Sequence, residues 1–262
     1  MHEEDDTAMS NFNLKTRLRN GDLLIGVLVT IPSTDVADIM SQAGFDYLWL
    51  DAEHGPADFV HLQMMVQAAG GRCPCLVRVP ENKEVWIKKA LDTGCHGVVV
   101  PQIKSAVEAR QAVECCLYPP AGQRSVGIAR AHSYGMSFQD YVSTANNELA
   151  IVLQVEHAQG VQNIESIVSV PGIDAILVGP FDLSGSLNLL GQITHPQVQA
   201  AIEEIKRACQ AARVPLGIFT VDVPSARSWI EKGFSLIALN TDASFLWRSA
   251  KAALAEVRGQ SA

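Results

Sequence analysis

Ile151 to Ser184 reads IVLQVEHAQGVQNIESIVSVPGIDAILVGPFDLS, and this stretch decides the fold. Its first run is apolar and β-branched and ends on a carboxylate, Glu156. A helix-length segment follows, then a second apolar run that leads into a second carboxylate, Asp182. This pattern is one βαβ unit with an acid at or just past the end of each strand. A right-handed crossover makes the two strands parallel and usually neighbours, so Glu156 and Asp182 are expected at the same sheet edge. Two carboxylates converging there make a site for a hard dication. The alternative is that each merely caps a helix and satisfies orphan N–H groups.

Working outward, apolar runs of the same kind recur with helix-length segments between them. They are Leu23–Val29, Asp46–Asp51, Cys75–Val79, Gly97–Pro101, Ile151–Glu156, Asp174–Gly179, Pro215–Thr220 and Ser235–Asn240. The intervening segments carry helical periodicity, as in Val85–Leu91, Val107–Cys116 and Val198–Ala211. Several end on glycine before the next strand, as at Gly44, Gly94 and Gly233. Eight βα units in this length imply an α/β chain closed into a single-domain (β/α)8 TIM barrel. An open doubly wound sheet is the competitor, but the G-x-G-x-x-G fingerprint after a first strand is absent.

At 262 residues the chain is long enough to bury one full core. Residues 1–12 are acidic and poor in apolar side chains, so a poorly ordered leader is expected before a barrel over 13–262. With 20 basic against 28 acidic residues, a nucleic-acid surface is disfavoured. The sequence has no apolar run of membrane-spanning length and does not open like a signal peptide, so a cytoplasmic protein with no membrane partner is expected. The six cysteines lack zinc or thioredoxin spacing and are expected to be reduced and mostly buried. Tyr118–Asn147 is the longest departure from the repeat, and such insertions often serve as lids or subunit contacts. The final helix, about Ser244–Val257, should cover the barrel or a neighbouring subunit.

In a barrel the chemistry gathers at the carboxyl ends of the strands. The polar residues there are Asp51, Glu53, His54, Arg78, Gln102, Glu156, Asp182, Thr220, Asp222, Asn240 and Asp242. His54 lies three residues after Asp51, close enough for that carboxylate to bond one ring nitrogen and raise its basicity, as a general base requires. A loop histidine bonded to backbone is the plainer alternative. Arg78 sits in an otherwise apolar run and must face an anion, either a structural Asp or Glu or a developing enolate or substrate carboxylate. After the sixth strand, the N–H groups around Phe181 to Leu183 should point into the mouth where a short helix begins, a setting for a carboxylate or phosphate. Strands seven and eight lack Gly-rich phosphate loops, which favours a small carboxylate. No lysine stands at a predicted strand end.

Five motifs in order resemble those of the HpcH/HpaI class II pyruvate aldolases. They are D-x-E-H-x-P at Asp51–Pro56, V-R-V-P at Val77–Pro80, P-P-A-G-x-R at Pro119–Arg124, Q-x-E at Gln154–Glu156 and G-P-x-D-L-S at Gly179–Ser184. The resemblance implies retro-aldol cleavage of a 4-hydroxy-2-oxo acid to pyruvate and an aldehyde through a metal-stabilised enolate, with side decarboxylation of oxaloacetate. It further implies that Glu156 and Asp182 bind the metal, that His54 with Asp51 handles the proton, and that Arg78 holds the keto oxygen. Aldol cleavage without a Schiff-base lysine calls for a Lewis acid, and two carboxylates, two oxygens of the 2-keto acid and waters would suit Mg²⁺ or Mn²⁺, with Co²⁺ also plausible. Gln154, Gly179, Pro180 and Phe181 would contact substrate beside Arg78 and Asp182. A homo-oligomer, trimer or hexamer, with the last helix on a neighbouring barrel is also implied. The chain departs from the pattern at Ser125, where relatives often carry Gly, and at His157 and Gln159, where many carry Thr and Arg. Two rival readings are a CoA-thioester lyase of the citrate lyase β-subunit type, for which no basic patch stands out, and a catalytically silent keto-acid or metal-binding barrel.

Overall fold

A computed structural model describes residues 13–260, and the leader at 1–12 lies outside the described residues. Eight strands alternate with helices: β1 (Leu24–Val29), β2 (Tyr47–Asp51), β3 (Cys75–Arg78), β4 (Gly97–Val100), β5 (Ala150–Val155), β6 (Ala175–Val178), β7 (Leu216–Thr220) and β8 (Leu236–Thr241). They close in sequence order, with β1 paired in parallel to both β2 and β8. The expected (β/α)8 barrel is therefore the fold. β5 and β6 are parallel neighbours in the register Val155↔Val178, which brings the residues after each strand to one edge.

Alternation along each strand sends one set of side chains inward and the other under the helices. The inward set includes Tyr47, Trp49, Leu76, Val152 and Leu177, and the outward set joins the larger core beneath the helix ring. The interior has room for the Tyr47 ring because a glycine stands against it. A Cβ at Gly26 would overlap the Tyr47 ring.

The helix Leu14–Asn20 closes the amino-terminal end of the barrel, where Leu14 and Leu18 bury into the interior cluster. Lys15 Nζ donates to Leu149 O at 2.8 Å and to Asp174 Oδ2 at 2.9 Å. Arg19 Nε takes the other oxygen of Asp174 at 3.0 Å, and Ile151 N–H donates to Oδ2 at 2.9 Å. A buried charge is tolerated only with such full pairing. This clamp leaves the carboxyl-terminal face as the mouth.

Two expectations change. The helix-length segment after β5 is two short helices, Ala158–Gln162 and Ile164–Val168, meeting at Asn163, whose Nδ2 donates to Lys104 O at 2.8 Å. The Tyr118–Asn147 insertion is not a lid on this chain's mouth. It forms a 3-10 helix, Arg130–Gly135, and a helix, Phe138–Glu148, that lead into the start of β5 on the opposite face. Arg124 of its P-P-A-G-x-R motif is buried, donates to Asp92 Oδ1 at 3.0 Å and Tyr141 Oη at 3.1 Å, and lies 4.5 Å from the Tyr118 ring centroid. It is a structural anchor.

All six cysteines are free and buried, as their spacing suggested. Among the described residues no helix is long and apolar enough to cross a membrane. The last helix, Asp242–Val257, buries Asp242 and Ala255 but leaves Leu246, Trp247, Leu254 and Val257 exposed.

At the amino-terminal face, His96 Nδ1 accepts the Cys75 N–H at 3.0 Å, and burial, helped by the Arg130 charge, pushes its pKa down to about 4. The unfolded chain then binds one more proton than the folded chain between about pH 6.5 and 4. The stabilisation is complete above that window and is lost as pH falls through it, at about 1.4 kcal/mol per pH unit for one proton. His96→Asn keeps an acceptor near Nδ1 but does not titrate. Urea unfolding across this window should show the acid loss reduced by close to one proton in the variant, and an identical acid limb would refute the assignment.

Candidate functional site at the barrel mouth

Arg78 is the last residue of β3 and lies in register with Asp51, the last of β2. Its Nε donates to Asp51 Oδ1 at 2.8 Å and its Nη2 to Oδ2 at 2.6 Å, a two-point fork between buried groups. Nη1 lies 3.1 Å from Glu53 Oε2 as an ion-pair contact, and the guanidinium carbon sits 4.9 Å from the Trp49 ring centroid. The anion required by a buried arginine is thus supplied by the chain itself, twice over.

This pairing corrects the expected Asp51–His54 contact. Asp51 Oδ1 accepts the main-chain N–H of Glu53 at 3.0 Å and that of His54 at 3.5 Å, so it shapes the turn after β2 and does not bond the ring. The carboxylate beside the imidazole is Glu53, with Oε2 3.6 Å from His54 Nε2. The His54 side chain is 65% exposed, which leaves it free to meet a substrate at the rim. Glu53 was legible as a strand-end acid but not as the link between His54 and Arg78, because spacing cannot say which of two nearby carboxylates turns inward.

On the far side of the mouth, Gln154 and Glu156 are two residues apart and share one face of the β5 run. Both are buried. Glu156 Oε1 accepts the Gln102 N–H at 3.1 Å, and Oε2 accepts a short bond from Gln154 Nε2. Gln102 has φ 58°, a left-handed backbone that is uncommon for a side chain of its kind and that aims its N–H at the carboxylate. Gln154 Oε1 is buried without a partner. A Cβ on Gly179 would strike the Glu156 carboxylate and stand 3.0 Å from Gln154 Nε2, so only glycine fits this close approach.

Asp182 is exposed, in the first turn of the helix Pro180–Ser186. Of the expected N–H donors around Phe181 to Leu183, that of Leu183 is already bonded to Gly179 O at 3.0 Å. Those of Phe181 and Asp182 lie in the first turn, where no intrahelical acceptor exists.

Electrostatics tie these groups together. Burial pushes the Glu156 carboxyl up to about 7, with the Asp182 and Glu53 charges adding to it and the Gln102 N–H and Arg78 opposing. Burial likewise lifts Glu53 to about 7, with Arg78 pulling down and Asp51 and Asp182 pushing up. Three acids therefore repel one another across one opening. The cavity at the mouth has a volume of about 160 Å³ and is lined by Arg78, Gln154, Gly179, Pro180, Phe181 and Asp182 against Trp49 and Phe219. Glu156 stands behind Gln154 and Gly179.

Among the described residues no group of three or more His, Cys, Asp or Glu side chains is arranged to hold a metal. Glu156 and Asp182 thus offer a pair. A Glu156 carboxyl raised chiefly by burial, with Asp182 near it and a partnerless amide oxygen on Gln154, is a donor set that suits a hard cation completing its shell with water and substrate oxygens.

The remaining strand-end residues do structural work. Asp242 accepts from Thr30 N at 3.0 Å, Thr30 Oγ1 at 2.9 Å and Ile31 N at 2.9 Å, which latches β8 to the end of β1. Asp222 caps the helix Val223–Glu231 by accepting Ser225 N–H at 2.8 Å. Thr220 bonds Ala238 O at 3.3 Å, and Asn240 Oδ1 accepts the next residue's N–H at 2.9 Å.

Residues 25–248 match the family described as HpcH/HpaI aldolase/citrate lyase. The chain is 40% identical over 260 residues to a hydroxypyruvate/pyruvate aldolase of Paraburkholderia phytofirmans, covering 95% of this chain and 100% of the relative. It is 36% identical over 244 residues to a 5-keto-4-deoxy-D-glucarate aldolase of Enterobacter sp., covering 92% and 94%. A crystal structure of an HpcH/HpaI aldolase/citrate lyase family protein from Burkholderia cenocepacia superposes with a TM-score of 0.91 at 38% identity, over 94% of this chain and 98% of that one. With the match running through nearly the whole barrel and the mouth built as described, the chain belongs to the HpcH/HpaI aldolase/citrate lyase family and is an enzyme of aldolase type, a carbon–carbon lyase of small keto acids.

Proposed function

We propose that the protein cleaves 4-hydroxy-2-oxo acids to pyruvate and an aldehyde, and joins the two in reverse. In cleavage the C4 hydroxyl loses its proton, the C3–C4 bond breaks, C4 becomes the aldehyde carbonyl, and the electron pair passes to C3 as the enolate of pyruvate. A proton then returns to C3. The observation that carries this reading is the convergence of a buried, doubly paired Arg78 with Gln154 and Asp182 on one small cavity, with the Glu53 and Glu156 carboxyls just behind its wall. At about 160 Å³ that space falls below the roughly 300–1,000 Å³ of drug-sized ligand sites and suits a three-carbon acid.

A divalent cation held by Glu156 and Asp182, Mg²⁺ or Mn²⁺ with Co²⁺ as a third candidate, would supply positive charge at the keto oxygen. Gln154 and the Gln102 N–H fix the two Glu156 oxygens in place. Arg78, fixed by Asp51 and stacked near Trp49, presents its remaining N–H to the forming enolate oxygen. Glu53 and His54 form the proton-handling pair, and Asp51 acts through Arg78 and the turn. The Gly179–Phe181 turn contacts the substrate carboxylate. Oxaloacetate decarboxylation passes through the same enolate and is proposed as a side reaction. The exposed apolar side chains of the last helix support packing on a second copy, in a trimer or hexamer.

Replacing Glu156 or Asp182 with Ala, or adding a chelator, should abolish both cleavage and decarboxylation while circular dichroism shows an intact fold. Activity surviving thorough chelation would sink the metal-assisted reading.

Arg78→Lys should lose both reactions, since an ammonium cannot reproduce the fork to Asp51. His54→Ala should lower aldol cleavage by on the order of 10²-fold, while decarboxylation, with no hydroxyl proton to remove, falls much less. Equal losses would reassign His54 to substrate positioning.

The raised Glu156 pKa has a stability consequence. Its folded value, about 7, lies above the ordinary 4.5, so its stabilisation is present at low pH and is lost as pH rises from 4.5 through 7 in metal-free protein. Glu156→Gln removes that dependence. In chelator the variant should gain on the wild type as pH rises through this range, and saturating Mg²⁺ should return the advantage to the wild type. A pH-independent difference would contradict the electrostatic account.

A further inference from the structure

One oxygen at the mouth belongs fully to no partner. Glu53 Oε2 lies 3.1 Å from Arg78 Nη1 and 3.6 Å from His54 Nε2, yet among the described residues it makes a hydrogen bond with neither. A buried carboxylate oxygen is thus held between two nitrogens by charge alone, and no directional bond breaks when it moves.

The two nitrogens serve different ends of the reaction, Arg78 the keto oxygen and His54 the C4 hydroxyl. Arginine carries five N–H groups, and the fork to Asp51 uses two of them. The rest are on Nη1 and Nη2. Because Arg78 lines the mouth cavity, a substrate oxygen entering it competes with Glu53 for Nη1. The newcomer is an anion, first a carboxylate and then an enolate, and it offsets the guanidinium charge that holds Glu53.

The surroundings leave Glu53 one direction to turn. Burial lifts its carboxyl to about 7, with Asp51 and Asp182 repelling the charge and Arg78 opposing them, and Glu156 is pushed up by Glu53 in turn. When the pull of Arg78 weakens, the cation within reach is a protonated His54 on the same turn.

We propose that Glu53 is a positioning residue that reports the occupancy of Arg78 to His54, its carboxylate turning from the guanidinium to the imidazole when a substrate oxygen binds, an inference that rests on the mouth being the pyruvate site. A carboxylate beside the ring favours the imidazolium, so the base gains proton affinity once there is a proton to take.

The test uses oxalate, an unreactive planar dianion with the outline of the pyruvate enolate, together with Mg²⁺. Imidazole Cε1–H signals are followed by NMR, and that of His54 is identified by its loss in His54→Ala. In the wild type the His54 titration midpoint should rise by roughly half to one pH unit when Mg²⁺ and oxalate are added, the scale of a carboxylate closing on a solvated imidazole. Glu53→Gln keeps the shape without the charge, and in it the rise should vanish. An equal rise in Glu53→Gln would assign the shift to the field of the ligand and overturn the coupling, as would a wild-type midpoint that does not move. Kinetics give a second readout, since kcat titrates the bound enzyme and kcat/KM the free one. The acid limb of wild-type cleavage should lie at higher pH in kcat than in kcat/KM, and the two limbs should coincide in Glu53→Gln. Coincident limbs in the wild type would overturn the coupling without recourse to the variant. Oxaloacetate decarboxylation that oxalate fails to inhibit would instead strike the pyruvate reading of the mouth, and the coupling with it.

Discussion

The fork between Arg78 and Asp51 is the constraint on which the mouth depends. A guanidinium at the end of an apolar strand would be too costly to bury alone, and the adjacent strand end supplies the one carboxylate that can meet it at two points. That pairing fixes more than itself. Asp51, held from one side by Arg78, organises the next turn through main-chain N–H groups and so places Glu53 and His54. The fork also sets the plane of the guanidinium near Trp49, whose ring fills the barrel below. Sheet register, barrel packing and the direction of one cation are a single problem with a single solution.

Opposite that cation, the carboxylates are arranged against their own comfort. Glu156 is buried among a glycine, an amide and a strained main-chain N–H, with Asp182 close enough to raise its proton affinity. Mutual repulsion of this kind is a cost to the folded chain, and it is the local conflict expected where function overrides stability. Groups held in place in advance need little rearrangement when charge moves beside them.

Much of this was readable in the sequence, and the reasons are specific. The eight strands announced themselves because each run is buried on both faces, so β5 and β6 stand out from IVLQV and AILV without any partner being known. That the residues after β5 and β6 share one edge followed from one handedness rule. What escaped depended on side-chain direction in turns. His54 sits three residues from Asp51 and one from Glu53, and only the backbone path after β2 decides that the ring faces Glu53. The insertion from Tyr118 could be read as a lid or a subunit contact because it is the longest departure from the repeat, and Arg124 binds it to Asp92 beneath the barrel. The role of Gln102 was hidden because a backbone N–H leaves no trace in residue type.

The placement of that insertion, together with the Lys15–Asp174 clamp and His96, gives the end of the barrel remote from the chemistry its own set of polar contacts. Four to six residues of strand separate the two ends, roughly 13–20 Å. Substitutions at such distances tend to act additively. An engineer seeking a hardier catalyst, or a lineage drifting toward a warmer habitat, can therefore rebuild the floor of this barrel without renegotiating the terms on which its ceiling binds and reacts.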